Sequence, residues 1–124
     1  MLRARLRGEA TRRACALLLP LALYAVLVAS AVRFDQAELP RFSDKIEHAI
    51  SFALLGALAL LGHPRRSGLR AILPALLAWG LFIECVQYGL PWRELSLLDW
   101  AADGAGVVLA IVALRPLART DTPA

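Results

Sequence analysis

Cysteine is scarce: the 124 residues hold two, Cys15 and Cys85, both inside apolar runs. The layout argued below sets them at different depths, beyond the roughly 7 Å Cα separation that a disulfide tolerates, so no cross-link frames the fold and both read as buried packing residues, with a lipid-facing position also open to Cys85. Internal repeats, low-complexity tracts and a second compositional region are also missing, which leaves one domain over 1–124. No His-Glu-x-x-His run fixes two metal ligands on one helix, and Ser51 and Ser96 stand in no nucleophile elbow or triad motif. Interrupted half-helices and inverted repeats are lacking, which argues against an alternating-access transporter. The net charge of +4 lies between apolar runs instead of covering one polar face, so it argues against nucleic acid and reads as a topology signal.

What the chain has is apolar length. Hydrophobic residues make up 59% of it, above the soluble average of about half. Residues 14–32 carry no charge, close to the ~20 residues needed to cross a ~30 Å hydrocarbon core at 1.5 Å per residue. Three further runs follow, and the expectation is an all-α integral membrane four-helix bundle with helices over about 14–33, 45–62, 69–90 and 97–114. The tails 1–13 and 115–124 then lie outside the spans. The first run also admits a cleaved signal peptide, with Ala29-Ser30-Ala31 as a small-residue cleavage site. Its length exceeds the usual ~7–15-residue apolar region of such peptides and favours a permanent helix. Arg3, Arg5, Arg7, Arg12 and Arg13 precede the first helix, Arg65, Arg66 and Arg70 join the second to the third, and Arg115 and Arg119 follow the fourth. The positive-inside rule places these ends, and so both termini, in the cytoplasm.

Polar residues interrupt the apolar pattern at one depth. With that topology the second helix begins, the third ends and the fourth begins at the outer leaflet. His48, Glu84 and Asp103 lie one turn, about 6 Å, deeper than Asp44, Tyr88 and Asp99. Asp44, His48 and Ser51 follow i, i+4, i+7, as do Gly80, Glu84 and Gln87, and Asp99, Asp103 and Gly106. Each helix therefore carries one polar stripe. A charged residue at a helix centre costs about 2.5–3.5 kcal/mol on insertion scales, so three at similar depth should face one another or a wet cavity. Ala102, Gly106 and Ala110 form an adjacent small-residue ridge, which lets membrane helices approach closely.

Plainer roles compete. Asp44 with Glu47, and Ser96 with Asp99, have capping-box spacing ahead of an apolar run. His48 alone could be a hydrogen-bonded packing residue. Glu84 resists such a reading, because a glutamate near a helix C-terminus caps nothing there and opposes the macrodipole. Arg93 can act as an interface anchor and Lys45 can snorkel, while Trp92 and Trp100 suit an aromatic belt.

The blocks Asp44-Lys45-x-x-His48-x-x-x-Phe52, Glu84-x-x-Gln87 and Arg93-x-x-Ser96-x-x-Asp99-x-x-Ala102-Asp103-x-x-Gly106 together resemble the VanZ-like family of small bacterial membrane proteins, over about half the chain. The family commonly has Asn where this chain has Asp103. The resemblance implies a multi-pass protein of the bacterial inner membrane and, through the founding member, a link to resistance against the glycopeptide teicoplanin. It supplies no mechanism. On the residues themselves, the expectation is a pocket open to the outer leaflet that binds or modifies an envelope lipid or lipid-linked glycan precursor. Asp44, Lys45, Gln87, Arg93, Asp99 and Asp103 would bind the substrate, and Glu84 with His48 would form the acid/base pair. A metal ion on His48, Glu84, Asp99 and Asp103 is the lesser expectation, since no local motif supports it and no cofactor is required. The alternative is a non-enzymatic protein whose polar layer only specifies helix packing or partner contacts.

Overall fold

The computed structural model describes residues 2–32, 43–65, 68–91 and 96–120, with side chains over 8–32, 44–65, 68–91 and 96–114. Among the described residues the fold is all-helical: α1 (Leu2–Ala31), α2 (Ser43–Gly62), a π-helical turn (Gly68–Ile72) running directly into α3 (Leu73–Tyr88), and α4 (Leu97–Thr120). Four segments, Gly8–Ala31, Asp44–Gly62, Gly68–Tyr88 and Leu97–Leu114, are long and apolar enough to cross a membrane. The chain is thus built as a multi-pass membrane protein.

Two boundaries differ from the sequence expectation. The first helix starts at Leu2 and the fourth continues to Thr120. Arg, Ala and Leu are strong helix formers, so the helix outruns the part of it that suits lipid. The π turn precedes Pro74, which offers no N–H to the carbonyl four residues back and crowds it with its ring; a wider turn accommodates both effects.

Around the bundle the helices lie in the order α1, α2, α4, α3, with the α2–α4 contact the most extensive and a lighter α1–α3 contact closing the ring. Phe52, Leu55, Leu60, Leu76, Ile83, Val107 and Ile111 form the buried core, against which Leu19, Leu23 and Val26 of α1 pack. Leu17, Leu21, Ile46, Ile50, Leu54, Leu109 and Val112 face outward, more apolar surface than water would tolerate and what acyl chains would cover. Cys15 is buried as expected, whereas for Cys85 the sequence leaves both a packing and a lipid-facing position open. Cys85 is exposed, because it follows the inward Glu84 by one residue and so lies about 100° round the helix from it.

Small residues set the α2–α4 spacing. Gly56 approaches Ala110, and Gly106 lies directly on the backbone of α2 at Ala49 and Ala53. Ala49 and Gly106 thus bring the helices together one residue beyond His48 and one turn beyond Asp103, which fixes the height at which the polar residues meet.

Candidate functional site

The site is assembled from the N-terminal end of α4 outward. Ser96 caps that helix: its Oγ accepts from the backbone N–H of Asp99 at 3.3 Å, satisfying one of the free donors of the first turn. In a local capping box the Asp99 carboxylate would return to the Ser96 N–H. Here that N–H donates instead to Glu84 Oε2 on α3, at 3.0 Å. Glu84 therefore does cap a helix, but a neighbouring one, which corrects the reading that it has no capping use. Trp100 adds a second tie between the same helices, its Nε1–H donating to the Leu77 carbonyl at 2.9 Å.

With Ser96 served by Glu84, the Asp99 carboxylate is free to face α2. Lys45 Nζ stands 3.4 Å from Asp99 Oδ1, and His48 Nε2 stands 4.0 Å from Asp99 Oδ2. One turn deeper, His48 Nδ1 lies 2.7 Å from Asp103 Oδ1. With Asp103 ionised, Nδ1 must carry the hydrogen and donate, leaving Nε2 turned toward Asp99. Gly80 on α3 makes room for this carboxylate, since a Cβ there would stand 2.7 Å from Asp103 Oδ2.

The charges do not balance within the described residues. Glu84, Asp99 and Asp103 are 1%, 6% and 0% exposed, whereas the facing cation Lys45 is about a third exposed. Glu84 Oε1, Asp99 Oδ1 and Asp103 Oδ2 are buried with no hydrogen-bond partner among the described residues, although Lys45 Nζ faces the Asp99 oxygen at 3.4 Å. Ligand-type atoms of His48, Glu84 and Asp103 lie within 4.8 Å of one another, and those of Asp44, His48 and Asp99 do likewise. The two groups share His48, and each could hold a metal ion.

Of the residues expected at the site, Lys45, His48, Glu84, Asp99 and Asp103 converge, with Asp44 beside His48 and Asp99. Gln87 is buried but directed elsewhere: its Nε2 donates to the Ser30 carbonyl of α1 at 3.1 Å. Arg93 lies outside the described residues. The contribution of α1 was not foreseen. Ser30, Ala29, Val26 and Ala25 form one wall of a groove of about 310 Å³, opposite Glu47, His48, Ser51 and Phe52 of α2, with Gln87 of α3 also lining it. The small residues Ala25 and Ala29, one turn apart on α1, are the only signal in the sequence that could have suggested a groove there.

No family model, curated protein or solved structure matches this chain.

Proposed function

We propose that the chain is a VanZ-like protein of the bacterial inner membrane, with both termini cytoplasmic, whose polar pocket near the outer leaflet binds or modifies an envelope lipid or lipid-linked glycan precursor. The observation that carries this reading is the groove of about 310 Å³ with His48 in its wall and the Lys45–Asp99 and His48–Asp103 pairs behind it. That volume falls at the lower end of small-ligand sites, about 300–1,000 Å³, and matches a headgroup better than a whole lipid. Lys45 and Arg93 supply cationic groups for phosphate or carboxylate, and His48 with Glu84 supplies proton donors and acceptors if the bound group is modified. The arginine distribution supports the orientation, and the link to glycopeptide tolerance follows from the family resemblance.

A second reading is favoured by one contact. The Ser96 N–H to Glu84 Oε2 bond staples α3 to α4, as a layer that specifies helix packing would do. Ala29→Leu separates the two readings, because it fills the groove from α1 without touching the polar cluster. The pocket reading expects co-purifying lipid, measured by mass spectrometry of protein extracted from native membranes, to fall several-fold at unchanged melting temperature. Equal lipid retention in wild type, Ala29→Leu and His48→Ala would leave the structural reading in its place.

A further inference from the structure

The two orphaned oxygens are the feature that neither reading explains. Glu84 and Asp103 are almost wholly buried, on different helices, and each uses one carboxylate oxygen in a defined bond while the other has no donor among the described residues. An unmatched buried acceptor costs about 1–3 kcal/mol, and more when charged. Asp99 Oδ1 also has no hydrogen bond among the described residues, but its charge is met by Lys45 at 3.4 Å. What remains is two carboxylates and one imidazole, whose ligand-type atoms lie within 4.8 Å of one another, closed off from solvent.

The geometry points to a divalent transition-metal cation held by His48, Glu84 and Asp103. Two positive charges match the two carboxylates left without a cation. One imidazole nitrogen with two carboxylate oxygens is a donor set suited to zinc or manganese, whereas calcium and magnesium prefer oxygen throughout. His48 Nδ1 and Asp103 Oδ1, now 2.7 Å apart in a hydrogen bond, need part by only about 0.6–0.9 Å to become neighbouring ligands in a tetrahedral shell of radius about 2.0–2.2 Å. The cation takes the place of the Nδ1 hydrogen, which moves to Nε2 on the Asp99 side so that the imidazole stays neutral, and gives Glu84 Oε1 a partner. Glu84 Oε2 stays on Ser96, so the α3–α4 staple and the ligand are compatible. The neighbouring Asp44–His48–Asp99 group is the weaker site, since Lys45 already occupies Asp99 and Asp44 is only half-buried. This inference stands whether or not the groove binds lipid.

The test uses full-length protein in detergent, carrying an affinity tag free of histidine and the changes His63→Ala and Cys85→Ser, which remove the other imidazole and the exposed thiol. After chelation, titration calorimetry with ZnCl2 and no added lipid should give one equivalent bound. Glu84→Gln and Asp103→Asn should each weaken binding by more than the roughly 10–100-fold typical of losing an outer-shell partner. X-ray absorption of the zinc-loaded parent should show one imidazole with oxygen ligands, a result that holds even if a variant fails to fold. Folded parent protein that takes up no zinc, binding insensitive to both variants, binding abolished by Asp99→Asn alone, or a shell containing thiolate or several imidazoles would each overturn the assignment. Lipid retention is read separately, so loss of one result leaves the other intact.

Discussion

Gly106→Ala gives the sharpest test of how the helices are spaced. A Cβ on Gly106 would collide with the carbonyl oxygen of Ala49 and would stand 2.9 Å from Ala49 C and Ala53 N. All three atoms belong to the α2 backbone, so no rotamer change can relieve the clash. The helices must part, by roughly 1 Å to restore ordinary contact, and a gap of that size forfeits up to about half the dispersion energy of the atoms facing it. Phe52, Leu55, Val107 and Ile111 are almost fully buried in this part of the core. Overpacking of this kind costs about 1–3 kcal/mol, more than the ~0.5–1 kcal/mol by which alanine outdoes glycine within a helix.

Gly104→Ala is the matched control on the same helix. Its Cβ would meet only Leu77 Cδ2, at 3.1 Å, the end of a flexible side chain that can yield. Unfolding followed in detergent should therefore place Gly106→Ala below wild type, by up to ~2.5 kcal/mol, and Gly104→Ala at or above it. Equal stabilities for the two variants would refute the claim that α2 and α4 touch backbone to backbone at Gly106.

Three further outcomes are expected. His48→Ala removes the hydrogen-bond donor to Asp103 and leaves a carboxylate at 0% exposure, so the folded state should lose about 1.5–3 kcal/mol; a loss under ~1 kcal/mol would mean that another group holds Asp103. Gln87→Ala deletes the donor to the Ser30 carbonyl, so the last turn of α1 should exchange its amide hydrogens faster at a cost of about 1 kcal/mol, and unchanged exchange would deny that tie. Cysteines at His63, directly after α2, and at Tyr88, the last residue of α3, both exposed, should be labelled from opposite sides of sealed vesicles in a Cys85→Ser background; labelling from one side would overturn the spanning arrangement.

The convergence was legible because two periodicities coincide. A 3.6-residue turn places Asp44 with His48, Gly80 with Glu84 and Asp99 with Asp103 on single faces, and the short uncharged lengths of the spans force those faces inward. The small-residue ridge was legible for the same reason, and Gly106 and Ala110 lie where α2 crosses. Contacts between helices distant in sequence were not. Nothing local tells Gln87 to reach α1 in preference to the carboxylates, since an amide so placed satisfies either environment. The order α1, α2, α4, α3 was equally hidden, because short loops constrain which helices are consecutive but not which lie side by side. The position of Cys85 turns on one residue of helical phase, which an apolar run does not encode.

Glu84 shows why a packing role and a chemical role need not exclude each other here. Sequence spacing assigns the Ser96 N–H to Asp99, and the fold transfers it to Glu84, which releases Asp99 to meet Lys45 across the α2–α4 seam. One oxygen of Glu84 thus maintains the arrangement that exposes its other oxygen to the cluster. Removing the side chain destroys both functions and cannot distinguish them. Glutamine can: its amide oxygen can still accept from Ser96, while its NH2 replaces the free acceptor with a neutral donor facing the cluster. Glu84→Gln should therefore keep or raise thermal stability while abolishing cation binding, the opposite pattern from a layer that serves packing alone.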